Sequence, residues 1–242
     1  MVKSINQYHK LNLGVMKKIF LATIISLFFT ATFAQKISRV NLTKEGVIES
    51  IFFLLDEGVT VSMTETGTIT AWGNEVISER IPSMSKLDVY PGRVEYYNVT
   101  ENEAFRGKVK YIGRNHITYY GTYDREELQG KVRSIGTAIF EYYMLLDNDA
   151  YKGKIKKAGS VNFGWYSSFD NEAFKGKIKS MGNTNFVYYS SFEDKAFKGR
   201  LKSIDRFNYT YYSSMERKEF QGAIKSGSQL QNINGIKFFV RF

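Results

Sequence analysis

The stretch Phe174-Lys175-Gly176-Lys177-Ile178-Lys179-Ser180-Met181, FKGKIKSM, decides the fold, because close copies of it return along the chain. They read FRGKVKYI from Phe105, YKGKIKKA from Tyr151 and FKGRLKSI from Phe197. The glycine recurs at Gly107, Gly130, Gly153, Gly176, Gly199 and Gly222, at an unbroken interval of 23 residues. An aromatic pair keeps step at Tyr96-Tyr97, Tyr119-Tyr120, Tyr142-Tyr143, Trp165-Tyr166, Tyr188-Tyr189 and Tyr211-Tyr212. A fixed period of this length marks a repeat architecture, in which each unit buries its apolar face against its neighbours.

Alternation identifies the unit. Phe174, Gly176, Ile178 and Ser180 alternate with Lys175, Lys177 and Lys179, the pattern of a half-buried strand. GNT at 182–184 predicts a three-residue turn, NFVYYSSF a second strand with Phe186, Tyr188, Ser190 and Phe192 inward, and EDKA a four-residue connector. The unit is then a hairpin of two eight-residue strands. Ile178 is expected opposite Tyr188, Tyr188 opposite Leu201, and Phe192 opposite Phe197. Ile112, Ile135, Met181 and Ile204 fall on the lysine side of a regular strand, and a β-bulge near Ser180 would return them to the apolar side.

The predicted fold class is all-β: an antiparallel meander of stacked 23-residue hairpins, as an elongated curved single sheet or a solenoid. Residues 35–90, with VIESIFFLL, GVTVSMTE and TITAWGNE, read as an N-terminal β cap, 91–227 as six to seven repeats, and 228–242 as a closing strand. Neighbour-only contacts predict that one whole unit can be deleted without unfolding the rest. The phrase aromatic-x-Gly-x-hydrophobic resembles the opening of a MORN repeat, from about Phe105 to Gly227, with Tyr-Tyr-Ser-Ser in place of that pattern's later glycines. The resemblance implies a hairpin solenoid used for scaffolding or membrane-proximal binding, not for catalysis.

The chain has 242 residues, a net charge of +10, two histidines and no cysteine. That excludes disulfides, thiolate metal sites and a cysteine nucleophile. No nucleophile motif or phosphate-binding glycine loop occurs, so no enzyme activity, cofactor or small-molecule substrate is expected. Residues 1–34 read as an upstream extension plus a cleaved signal peptide, with the start at Met16, a basic Lys17-Lys18, the apolar run IFLATIISLFF and small residues before Ala34. The pattern predicts export to the periplasm, the cell surface or the medium of a bacterium.

Basic columns are the candidate site. One comprises Arg106, Lys152, Lys175 and Lys198, a second Lys108, Lys131, Lys154, Lys177 and Arg200, and a third Lys110, Arg133, Lys156, Lys179, Lys202 and Lys225. Tyr120, Tyr143, Tyr166, Tyr189 and Tyr212 are expected on the same face. Cations beside aromatic rings suit an anionic polymer such as an acidic glycan, lipopolysaccharide or nucleic acid. Another envelope protein is the other partner class, with peripheral membrane contact. The competing reading is a solvated lysine face that blocks sheet-to-sheet pairing. The acidic pairs Asp147/Asp149, Asp170/Glu172 and Glu193/Asp194 read as turn formers and not as calcium ligands. An outer-membrane barrel is the second fold reading, suggested by Ile236, Phe238, Val240 and Phe242 alternating at the C-terminus. Eight-residue strands fall short of the ~9–11 residues that span a bilayer.

Overall fold

The computed structural model describes residues 35–76 and 86–242. The expected signal segment lies outside the described residues. Five strands come first: β1 (Lys36–Thr43), β2 (Ile48–Leu54), β3 (Val59–Met63), β4 (Ile69–Val76) and β5 (Lys86–Asp88). The repeat region follows as β6 (Val94–Tyr96), β7 (Val109–Ile112), β8 (Asn115–Tyr119), β9 (Val132–Ile135), β10 (Ala138–Tyr142), β11 (Ile155–Ala158) and β12 (Val161–Trp165). It continues through β13 (Ile178–Met181), β14 (Thr184–Tyr188), β15 (Leu201–Ile204), β16 (Phe207–Asn208), β17 (Thr210–Tyr211) and β18 (Ile224–Ser226). The chain ends in β19 (Leu230–Ile233) and β20 (Ile236–Arg241).

The expected meander is present. Strands β6 to β16 form an eleven-stranded sheet in sequence order, and β17–β18 form the next antiparallel pair. The sheet is open at both ends, so no barrel closes among the described residues. Within each hairpin the ladder is shorter than predicted, because the strands have two to five residues and not eight. The turn at Gly182-Asn183 holds two residues, with Met181 opposite Thr184 and Ser180 opposite Asn185. Gly182 takes φ +55° there, a conformation that two-residue hairpin turns require and glycine adopts without strain.

The bulge is where the sequence requires one. Gly164 faces Ser180 and Trp165 faces Ile178, which leaves Lys179 as the extra residue. The same slip leaves Lys110, Arg133, Lys156, Lys202 and Lys225 unopposed in the other units. One extra residue turns both Ile178 and Met181 inward, and both are almost fully buried. Tyr188 faces Leu201 as expected. The alternation stops there. Phe192 is 92% exposed and does not face Phe197, which packs on Tyr189 and Tyr211 instead.

Residues 35–90 are not an end cap. Strands β1 to β5 from this segment join β19 and β20 in a second layer over the buried face of the meander, in the order β19-β20-β1-β2-β3-β4-β5. Phe53 meets Phe140 at 5.0 Å and Phe238 meets Phe186 at 5.6 Å between ring centroids. The loops of this layer also supply carbonyls to the meander. Val132, Ile155 and Leu201, each next to a bulge, donate their N–H groups to Gly67, Glu65 and Lys44 at 2.8–3.0 Å. Backbone donors that a bulge turns out of the ladder must find partners elsewhere when buried. The closing strand β20 pairs antiparallel with β19 and parallel with β1.

Candidate functional site

Each unit contributes the same glycine at φ 73–77°. A Cβ on Gly130, Gly176 or Gly199 would stand 2.6–2.7 Å from the carbonyl oxygen of Ala104, Ala150 or Ala173 in the preceding unit. The glycine therefore lets one unit's backbone sit against the next.

This close approach puts the glycine carbonyl within reach of the second basic column. Lys131, Lys154 and Lys177 donate from Nζ to the carbonyl oxygens of Gly153, Gly176 and Gly199 at 2.5–2.7 Å, and Lys108 does the same to Gly130. Each ammonium also lies over an aromatic ring: Lys108 on Tyr119, Lys131 on Tyr142, Lys154 on Trp165 and Lys177 on Tyr188, at 4.4–5.3 Å. Arg200 covers Tyr211 at 5.3 Å. Burial holds the Lys108, Lys131 and Lys177 ammonium groups below the usual lysine range. Lys154 in addition meets Glu65 of the second layer at 2.9 Å. These cations join one repeat to the next, so the expectation that this column belongs to an open binding face is corrected.

The third column is different because it consists of the bulge residues. A bulge re-aims the side chain it carries. Lys110, Arg133, Lys156, Lys179, Lys202 and Lys225 lie over Tyr97, Tyr120, Tyr143, Tyr166, Tyr189 and Tyr212 at 5.0–5.6 Å. The hydroxyls of Tyr120, Tyr143, Tyr166 and Tyr189 donate to the carbonyl oxygens of Phe140, Phe163, Phe186 and Tyr209 in the next unit at 2.9–3.0 Å. Burial raises the pKa of these four phenols. The structure thus brings the third column and the tyrosine column together, while the second column reaches a separate row of rings.

Carboxylates divide the third column. Lys110 pairs with Glu101 at 2.7 Å, Lys202 with Glu193 at 2.9 Å and Lys225 with Glu216 at 3.9 Å. In the three central units the same turn position holds Asp124, Asp147 and Asp170. These shorter side chains accept the N–H groups of Gly121, Met144 and Ser167 at 2.5–2.7 Å. Among the described residues no carboxylate pairs with Arg133, Lys156 or Lys179 within 4 Å. In the first column Arg106 lies 2.5 Å from Glu103 and Lys152 lies 2.9 Å from Asp149, while Lys175 and Lys198 are exposed.

The acidic turns behave as turn formers. Asn148, Asn171 and Asp194 accept the N–H of the residue two positions on and that of Ser168, Ser191 or Ser214 in the next unit. His116 stacks on Tyr111 at 4.6 Å. Among the described residues no group of three or more His, Asp or Glu side chains is placed to hold a metal ion. No family model, curated protein or solved structure matches this chain.

Proposed function

We propose that this chain is an exported, non-catalytic binding or scaffold module of the bacterial cell envelope, built on a MORN-like hairpin unit. Its bulge column holds an anionic polymer, an acidic glycan being the best fit. The observation that carries this reading is the run of exposed cations at Arg133, Lys156 and Lys179, one per unit, without carboxylate partners among the described residues. Successive units lie two strand spacings apart, about 9.6 Å. A polymer with regularly spaced charges can meet all three at once, whereas a single small anion meets one.

Attachment is by charge and not by base stacking, because each tyrosine ring in this column already carries a cation. Binding then falls steeply with salt as neutralised charges release counterions. The test is heparin affinity measured against salt concentration for the wild type and for Arg133→Gln/Lys156→Gln/Lys179→Gln. The triple variant is expected to bind weakly with an unchanged circular dichroism spectrum, its log–log salt slope smaller by roughly two to three. Failure of heparin, acidic glycan and DNA to bind at low ionic strength would leave the column as a solvated face and end this reading.

A further inference from the structure

The long connections of the meander lie on the edge opposite its two-residue turns, and five of them carry an almost wholly exposed apolar side chain at the same position of the repeat. Tyr123, Leu146, Phe169, Phe192 and Met215 stand one period apart and are 92–101% exposed. The turns beneath them are fixed by the aspartate and glutamate caps, and the Asn148, Asn171 and Asp194 bonds tie each turn to the next. The five side chains therefore form a preorganised row and not a set of loose loops. Exposed apolar surface of this extent marks an interaction site.

We propose that this row is a self-association surface, on which two copies of the chain pair antiparallel about a two-fold axis at Phe169. The first argument is spacing. A partner that engages all five positions must repeat every ~9.6 Å, and a second copy does so by construction. The second is charge. Three residues beyond the apolar positions stand Glu126, Asp149, Glu172, Lys195 and Lys218, all exposed. An antiparallel pairing sets Glu126 against Lys218 and Asp149, which also lies beside its own Lys152, against Lys195, and leaves Glu172 as the one position of this set that meets its own copy. A parallel pairing would oppose like charges. The third is area. Five side chains of about 150 Å² each would bury ~1,500 Å² in total over both copies, within the usual range for a stable interface. A lipid surface is the alternative occupant, and vesicle flotation distinguishes it.

The chain has no cysteine, so Phe169→Cys introduces a single thiol into the full chain. A short bis-maleimide should cross-link Phe169→Cys to itself. Tyr123→Cys and Met215→Cys should each remain uncoupled alone and form a dimer when mixed. Sedimentation velocity should show a dimer whose dissociation constant rises at least ~100-fold in Leu146→Ser/Phe169→Ser/Phe192→Ser. Fully exposed positions tolerate these changes without unfolding. Equal cross-linking at all three positions, or a wild type that sediments as a monomer, overturns the proposal. Monomers that float with phosphatidylcholine vesicles, and cease to in the triple variant, would assign the row to lipid instead.

Discussion

Gly107, Gly153 and Gly176 occupy equivalent positions with nearly the same φ, yet their surroundings differ. A Cβ at Gly107 would meet nothing within 4 Å, one at Gly153 would meet only the flexible Lys131 Nζ at 3.2 Å, and one at Gly176 would press on the Ala150 carbonyl. Gly107→Ala should therefore lose only the left-handed backbone preference, about 1–2 kcal/mol. Gly176→Ala adds a backbone collision and should lose about 3 kcal/mol or more. Urea denaturation of the two variants measures the difference, and equal losses would show that the carbonyl approach is unimportant. At this scale the sequence marks the glycine as special but not the lysine beside it. Lys177 and Lys179 sit on the same side of the strand pattern. Only the backbone path separates them: Lys177 reaches the Gly199 carbonyl, and Lys179 is turned outward as the bulge residue.

The hairpin unit shows which parts of an element a pattern can define. Met181 and its equivalents break the alternation, and that break located the bulge, because a buried apolar residue cannot stay on a lysine face. Turn length was less legible: GNT fits a three-residue loop, but the bulge absorbs the residue that the loop would have needed. Exposure of Phe192 was also hidden, since SSF continues the alternation of the strand into a segment that has left the ladder. Its recurrence as Tyr123, Leu146, Phe169 and Met215 on acidic turns was the available signal. The second layer changes the expectation for unit deletion. Ile155 and Leu201 are anchored to Glu65 and Lys44 on either side of residues 174–196. Removing that unit shifts one anchor by about 9.6 Å relative to the other. The deletion should lose cooperative urea unfolding, and a variant with a wild-type transition would mean that the units depend on neighbours alone.

For the molecule as a whole, the strand order of the second layer could not be read from the sequence, because parallel pairing between distant strands leaves no local pattern. Strand β20 lies between β19 and β1, and it carries Phe238 and Val240 without exposure and Phe239 at 9%. Burial of such side chains stabilises by about 1.5–3 kcal/mol each, and total stabilities are only about 5–15 kcal/mol. Truncation after Gly235 should remove most of the folding free energy and also uncover an edge of β1. Near-ultraviolet circular dichroism and urea titration of the truncated chain would test this. Retention of a sharp transition would show that the two layers hold together without β20.

The parallel contact of Arg39 with Lys237 joins nearly the two ends of the described chain. Long-range contacts of this kind slow folding, because loop closure precedes the contacts that reward it. During synthesis the hairpins can form one after another, but β1 has no partner on one side until β20 emerges. The translating chain therefore passes through a state with its repeats made and its cover unfastened. In that interval the apolar face of the meander is open to chaperones, to proteases and to other nascent copies.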